Sequence, residues 1–426
     1  MAKEIHIKRL KWTIGMILAA LFFYYGINLM RQEFKLGLFL LIGWGLGYAV
    51  SRSEVGLASG FTEFFITGNR NKLNGLLLLF GLGALSAVII HYVSYSNGAL
   101  PNFRAPSNQS IIPGTRAVTP VNIGLMMGSF LFGVGLTLNQ GCGLGTLRNI
   151  GLGNLRYIWT LFFLLIGTIP GHWMKYRLDQ SAIHNYSIHL YFPDALGYGG
   201  TLLLILSILI LLTFLTRKYE LKRLKKGTYR QSKSYIFTDS SEDHLYGSRT
   251  KQLVFNVFKR DWARIITQLM VTLCLLLALT LTGETLEVTE ALINPAVALF
   301  HYLGFSFNDP AFSSVLETVE EGILNNHIIR QNMGIIAGAA TFALSSSKFT
   351  FSTPEDNKER LVCMISGLLM GFGTVLASGC IMGALYSGIV NLSLSGWVVF
   401  AFMSLGGYVT VKVMNGKIRT IPKIEN

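Results

Sequence analysis

Two stretches of the chain decide its fold: residues 133–147 read GVGLTLNQGCGLGTL, and residues 371–385 read GFGTVLASGCIMGAL. Seven positions are identical between them, and Cys142 aligns with Cys380. The same register, an offset of 238 residues, aligns a tryptophan in each half, Trp159 and Trp397. Eight identities that include a rare Cys and a rare Trp predict an internal repeat.

The composition around both stretches is that of a membrane protein. Of 426 residues, 51% are hydrophobic and only 14% are charged, whereas a soluble chain carries about 25% charged residues. The 51 residues of 361–411 contain no charge, which is too long for one span of ~20 residues. The basic N-terminal residues lead into a full-length apolar segment without a cleavage pattern, which we interpret as a first membrane helix rather than a secretory signal.

The fold class that follows is an all-α integral membrane protein. It should have about nine to ten transmembrane helices plus short re-entrant half-helices. We predict spans at 12–30, 34–51, 73–95, 118–139, 156–175, 197–216, 264–283, 329–347, 361–378 and 394–412. The apolar pieces too short to cross are 54–66, 143–151, 287–303, 311–326 and 380–390. The predicted units are an N-terminal helix at 1–31, a first repeat at 32–175, a connecting helix with a basic segment at 176–262, and a second repeat at 263–426.

Charge predicts the orientation. The net charge is +14, and residues 217–262 carry twelve Lys or Arg against five Asp or Glu. Basic clusters beside apolar spans indicate a cytoplasmic face in contact with anionic lipid rather than a nucleic-acid partner. With this segment and both termini cytoplasmic, the repeat partners 156–175 and 394–412 run in opposite directions. The repeat is then inverted, which places a working site near the membrane midplane.

The Gly-Cys loops are the candidate site. Irregular backbone is tolerated at membrane depth only where protein or a water-filled cavity satisfies it. A glycine-rich turn before a short helix can aim several N–H groups at one anion, and a thiol suits a soft, sulfur-bearing one. The first loop supplies Asn139, Gln140, Gly141, Cys142, Gly143, Gly145 and Arg148. The second supplies Ser378, Gly379, Cys380 and Gly383.

Other interpretations of these residues remain. A lone membrane cysteine is usually packing, and we interpret Cys274 and Cys363 in that way. Two cysteines in register, each after Gly and each in a break, favour a site, although a disulfide would join them if the loops meet. Glu63 marks a proton path or a solvated helix face. The chain has no Cys-x-x-Cys pair, no metal-ligand spacing and no cofactor motif, so we expect neither a metal nor a cofactor.

With these loops in view, the chain resembles the YeeE/YedE family of membrane transporters. The resemblance rests on LNQGCGLGTLRNIGLGNLR from Leu138, LASGCIMGALYSGIVNLSLSGWVVF from Leu376 and GLASGFTEFF from Gly56. It implies uptake of thiosulfate or a related sulfur compound past cysteines in buried central loops, at positions that match Cys142 and Cys380. It also implies, for some members, delivery to a small cytoplasmic sulfurtransferase, and for others a selenium compound.

One departure bears on the substrate. The first short segment carries a cysteine in the thiosulfate carriers of the family, and here that place is Gly56, while a basic residue that often follows is replaced near Glu63. We therefore expect a non-enzymatic transporter of a small sulfur anion in the inner (plasma) membrane. The alternatives are a membrane-embedded thiol protein that relays sulfur or redox equivalents to a cytoplasmic partner, and a selenium-compound transporter.

Overall fold

The computed structural model describes residues 2–53, 57–181, 187–229, 264–346, 348–354, 356–418 and 421. These residues are almost entirely helical and form no β-strand beyond isolated bridges. The α-helices in chain order are α1 (Ala2–Gln32), α2 (Phe34–Arg52), α3 (Leu57–Thr67), α4 (Asn71–Ser96), α5 (Ile123–Asn139), α6 (Gly143–Gly151), α7 (Arg156–Gln180), α8 (Phe192–Lys225), α9 (Arg264–Thr282), α10 (Ile293–Tyr302), α11 (Ser313–Glu320), α12 (His327–Ser345), α13 (Asn357–Leu376), α14 (Ser387–Val390) and α15 (Leu394–Val413). A π-helix, Ile381–Tyr386, leads directly into α14.

Nine stretches of the described residues are long and apolar enough to span a membrane, which confirms the predicted all-α membrane fold. The predicted span at 118–139 was too long, because α5 begins only at Ile123. Pro120 precedes it, and Asn122 caps it by accepting from the Leu125 amide at 2.8 Å. The connecting helix α8 is longer than predicted and contains a break at Gly197, where φ is 65°.

Helix α12 is not among the nine, although we predicted a span at 329–347. Its first turns carry three buried polar side chains, Arg330, Gln331 and Asn332, which lower its mean hydropathy. Two of them donate to backbone carbonyls of the segment 285–289, as described below. Polar atoms of α12 therefore serve the centre of the molecule rather than lipid.

Small residues bring the long helices into backbone contact. A Cβ atom on Gly43 of α2 would collide with the Gln331 carbonyl of α12, and one on Gly338 would collide with the Trp44 carbonyl. Gly371 of α13 lies in the same way against the Leu164 carbonyl of α7. Such close crossings are the usual means of helix association where lipid removes the hydrophobic drive between helices.

The Gly-Cys segments occupy the core enclosed by these crossings. In the second one, the side chains of Ile381, Met382, Leu385 and Tyr386 are fully buried. Each segment follows a long helix, α5 or α13, and returns as a short helical piece, as predicted for 143–151 and 380–390. The long helices therefore place both cysteines inside the protein.

Candidate functional site

The two Gly-Cys turns have the same backbone conformation. Gln140 and Ser378, which are 238 residues apart, both adopt the left-handed region with φ of 55° and 56°. Cys142 and Cys380 are both extended, with φ of −92° and −97°. The sequence repeat thus extends to backbone geometry at positions where left-handed torsion is uncommon for a residue other than glycine.

Glycine is required at two positions of these turns. Gly379 has φ of 134°, and a Cβ atom there would lie 2.6 Å from the Ala384 amide nitrogen. A Cβ atom on Gly143 would overlap the Thr289 side chain. Gly145, in contrast, has open space around it, so its lack of a side chain leaves room rather than permitting a contact.

Each cysteine stands at the start of a helical segment. The Cys142 carbonyl accepts from the Thr146 amide at 2.7 Å, and the Cys380 carbonyl accepts from the Ala384 amide at 2.8 Å. The Cys142 thiol lies beside the amides of Leu144 and Gly145 without capping the helix by a side-chain hydrogen bond. Both cysteines therefore lie at the positive end of a short helix, where backbone amides favour an anion.

The two thiols lie in the same buried core of the molecule. Each cysteine is only 1% exposed, and the two lie within electrostatic reach of one another. Both are free thiols, so the alternative of a disulfide between them is wrong. Cys274 and Cys363 are also buried and free, as the packing interpretation expects, and Cys363 accepts from Arg156 Nε at 3.3 Å.

Asn139 braces the first turn. Its Nδ2 donates to the Gly141 carbonyl at 3.2 Å and lies 3.4 Å from Thr146 Oγ1, while its Oδ1 accepts from Thr160 Oγ1 at 3.1 Å. The residue is fully buried. The predicted polar residue Asn139 thus holds the loop in shape instead of offering free groups to a ligand.

A third segment, residues 285–289, lies between the two turns. None of its residues was among the predicted site residues, although the predicted short piece 287–303 begins within it. Its carbonyls accept from side chains of α12 and α14: Leu286 from Ser387 Oγ at 3.4 Å, Glu287 from Gln331 Nε2, and Val288 from Asn332 Nδ2 at 2.7 Å. The Thr289 and Thr374 hydroxyls are 2.6 Å apart. The Glu-Val pair at 287–288 also occurs at 54–55. This recurrence is the feature of the sequence that could have pointed to the segment.

A cavity of about 700 Å³ reaches the second turn from one side. It ends at Ser378 and Gly379, directly before Cys380. Lys175 Nζ donates to Ser378 Oγ at 3.0 Å and brings a cation to that end. On the cavity wall, burial opposes ionisation of Glu284, but a hydrogen bond and the charge of Lys35 outweigh it and lower the Glu284 pKa.

A smaller cavity of about 540 Å³ approaches from another side and ends at Gln140, the repeat equivalent of Ser378. Its wall includes Arg156, which pairs with Glu359 at 3.0 Å, together with Lys358 and Lys417. The two cavities thus meet the two turns at corresponding positions.

Both ends of the described chain lie on the side of the smaller cavity. Lys417 lines it, and Lys11 Nζ donates to the Phe349 carbonyl, three residues before Ser352 on the cavity wall. At the basic end of α8, Arg223 donates to the Ile66 carbonyl, and Ile66 packs against a cluster that includes the cavity residue Ile418. The basic clusters therefore share one face.

Three predicted site residues lie apart from this centre or outside the described residues. Glu63 pairs with Lys72 at 2.6 Å on α3 and α4 and lines neither cavity. Arg148 is directed towards the vicinity of Tyr157 and also lines neither cavity. Gly56, the place of the missing cysteine, lies outside the described residues. Within the described ranges, no group of three or more His, Cys, Asp or Glu could hold a metal ion.

Comparison with known proteins assigns the family. The family model described as sulphur transport matches residues 52–409. The chain belongs to that family. The match covers both Gly-Cys turns, the long helices that carry them, the larger cavity and most of the smaller one, which confirms the resemblance drawn from the loop motifs.

Two relatives named as thiosulfate transporters are similar to this chain over nearly their whole length. The thiosulfate transporter TsuA of Escherichia coli (strain K12) is 22% identical over 376 residues, which is 86% of this chain and 91% of the relative. TsuA of Spirochaeta thermophila is 26% identical over 388 residues, 87% of this chain and 96% of the relative. A probable transporter YedE of Salmonella typhimurium is 28% identical over 155 residues, 36% of this chain and 32% of the relative. All are named as transporters, which agrees with the prediction of a transporter rather than an enzyme.

Proposed function

We propose that this protein carries a small sulfur-containing anion, thiosulfate or a relative, across the membrane past Cys142 and Cys380. The observation that carries the proposal is the placement of two equivalent buried thiols in one core and within electrostatic reach of one another. Each lies at the start of a helical segment, and a separate cavity ends just before each of them. The relatives named thiosulfate transporters support the substrate class.

The anion enters through the larger cavity. Lys175 attracts it to the end of the cavity, where the ammonium and the Ser378 hydroxyl are 3.0 Å apart. The partly buried Lys175 ammonium loses little on exchanging the Ser378 hydroxyl for an anion, since a charge-assisted hydrogen bond to an anion is stronger than a bond to a neutral acceptor. The anion therefore binds transiently at Ser378, two residues before Cys380.

Passage through the centre relies on weak donors. Amides at the starts of the two short helical segments offset the negative charge, and the thiols contact the terminal sulfur as weak S–H donors. The predicted anion site has no full cation at the cysteines themselves. Binding that is weak and divided among several sites allows the anion to leave as well as enter.

The anion leaves through the smaller cavity past Gln140. Arg156 in this cavity forms a salt bridge with Glu359 and a hydrogen bond to Cys363, and these contacts weaken its binding of the departing anion. Because the basic end of α8 and both chain ends share this face, the positive-inside rule makes it the cytoplasmic one. The protein is then a multi-pass inner-membrane protein with cytoplasmic termini, anionic lipid at that face, and a small sulfurtransferase as the receiving partner there.

The repeat is inverted in this proposal. Helices α5 and α13 are repeat partners, and they run antiparallel where they cross, because Gly128 meets residues 373–377 while Gly135 meets residues 366–370. Two spanning helices that run antiparallel cross the membrane in opposite directions. The halves at 32–175 and 263–426 then each contribute one Gly-Cys turn to a site near the midplane.

Uptake by the purified full-length chain in proteoliposomes tests the proposal. Radiolabelled thiosulfate should accumulate with saturation, and unlabelled thiosulfate should compete better than sulfate. Sulfite and selenite in the same assay identify a related substrate. If none of these anions enters faster than into protein-free vesicles, the proposal is wrong.

Two alternatives differ in the thiols or in the cargo. A thiol relay needs an accessible, reactive thiolate, and the 1% exposure of Cys142 and Cys380 argues against it. Rapid alkylation of either cysteine in the folded protein near neutral pH would favour the relay. A selenium compound would use the same donors, because selenium is as soft as sulfur, and competition by selenite over thiosulfate would favour it.

A further inference from the structure

Glu287 is the acidic residue of the segment 285–289 that reaches the Gly-Cys centre. A Cβ atom on Gly383, three residues after Cys380, would lie 3.6 Å from Glu287 Cγ and 3.9 Å from its Cδ. Two residues on, Thr289 contacts Gly143, directly after Cys142. The segment therefore extends from the first turn of one short helix to that of the other, and its carboxyl group lies on the Cys380 side.

The position of Glu287 is fixed by α12 and by the short helix α14 that follows the second Gly-Cys turn. Gln331 of α12 donates to its carbonyl, while Ser387 and Asn332 donate to the carbonyls on either side. Its own Oε1 accepts from Thr285 Oγ1 at 3.2 Å. Since the backbone is held at three successive residues, the side chain cannot swing away with its loop when an anion approaches.

The larger cavity is unusually acidic for the entrance of an anion. Its lining contains the cations Arg116 and Lys175, the carboxylates Asp179, Glu284, Glu287 and Glu290, and the imidazoles of His172 and His327. Glu284 takes both Arg116, at 3.1 Å, and Lys35, at 2.9 Å, as salt-bridge partners. Lys175 contacts Ser378 instead. The cations Arg116 and Lys175 at this entrance thus contact residues other than Glu287.

A carboxylate in this position acts differently in its two protonation states. Ionised, it repels an anion that passes Gly383 towards the thiols, and the water-poor surroundings screen that repulsion weakly. Protonated, it is neutral and offers an O–H donor to the same anion. An intramembrane acid placed at a substrate path is a usual form of proton relay.

We propose that Glu287 binds the proton that accompanies the anion. A proton from the larger cavity occupies the Glu287 carboxyl, the anion then passes Gly383 and the two thiols, and the proton leaves on the far side. No covalent bond changes, and one proton moves in the same direction as one anion. This inference rests on the proposed function. It assigns the proton to Glu287 instead of Glu63, because Glu63 on α3 forms a salt bridge with Lys72 on α4.

Glu287→Gln, compared with Glu290→Gln in the same cavity as a control, tests it in proteoliposomes with the membrane potential clamped at zero. With one proton per anion, each pH unit of outside-acid gradient supports up to about tenfold accumulation of thiosulfate. The wild type and Glu290→Gln should show it. Glu287→Gln should accumulate none, yet it should still exchange labelled for unlabelled thiosulfate, because a neutral amide admits the anion.

The outcomes separate this inference from the proposed function. A wild type without any thiosulfate transport contradicts the proposed function itself. Accumulation by Glu287→Gln that still follows the pH gradient, or a wild type that transports without response to the gradient, contradicts the role of Glu287. So does loss of exchange in a Glu287→Gln protein whose thermal unfolding in detergent matches the wild type.

Discussion

Gly128 and Gly373 face each other reciprocally: a Cβ atom on either glycine would lie 2.7 Å from the carbonyl oxygen of the other. Gly135 repeats the relation with Ser366, its Cβ position lying 2.8 Å from that carbonyl. Since 135 and 373 are repeat partners, and so are 128 and 366, each contact is the image of the other. Reciprocal contact of this kind is what the proposed inverted repeat predicts, because a two-fold axis exchanges the partners of each contact. The contacts lie at the crossing of α5 and α13, the two helices that lead into the Gly-Cys turns.

The crossing predicts a stability effect. Gly373→Ala should destabilise the protein by about 1–3 kcal/mol, because the added methyl group forces the backbones of α5 and α13 apart. Thermal unfolding in detergent measures it. Gly199→Ala on α8 is the matched control, since nothing lies within 4 Å of its Cβ position. An unchanged unfolding temperature for Gly373→Ala would contradict the close crossing.

Lys175 should act on the affinity of uptake. In Lys175→Gln the inner end of the larger cavity, at Ser378, loses its cation, and we expect KM for the transported anion to rise roughly tenfold, the scale of one charge-assisted hydrogen bond. Arg177→Gln, two residues on, is the control, because Arg177 pairs with Asp309 at 2.9 Å and does not line the cavity. Equal KM values in the two variants would remove Lys175 from the entry site.

Asn139 should act on the shape of the first turn. Asn139→Ala leaves the buried Gly141 carbonyl and the Thr160 hydroxyl without the partner they have here, and each such group costs about 1–3 kcal/mol. We expect lower thermal stability together with slower uptake. Asn102→Ala, in an exposed loop, should change neither. A stable Asn139→Ala protein with normal uptake would show that the turn keeps its shape without this brace.

The sequence was sufficient for the membrane fold and for the Gly-Cys turns, because charge-free length and an exact repeat offset are properties of the chain itself. It was insufficient for the segment 285–289. Glu284, Glu287 and Glu290 are spaced three residues apart, which is typical of a solvated surface turn. Hydrogen bonds from residues distant in the sequence, Gln331, Asn332 and Ser387, bring this segment to the centre.

The polar residues near the two turns also differ in their roles, and the sequence alone could not predict that difference. Asn139 and Ser378 flank their cysteines at a similar distance in the chain. The polar groups of Asn139 form hydrogen bonds within the protein. Ser378 instead lines the end of a cavity and accepts a hydrogen bond from Lys175 of another helix. The difference depends on which neighbour faces each residue across the fold, and short-range patterns carry no information about that.

The central claim, that the anion passes the two thiols, is tested most directly by the initial rate of thiosulfate uptake in proteoliposomes with single cysteine variants. Cys142→Ala and Cys380→Ala should each lower the rate by at least about tenfold, the scale of ~1.4 kcal/mol of lost contact. Cys274→Ala, which removes a buried thiol that lines neither cavity, should keep the wild-type rate. Wild-type rates in both Cys142→Ala and Cys380→Ala would contradict the account.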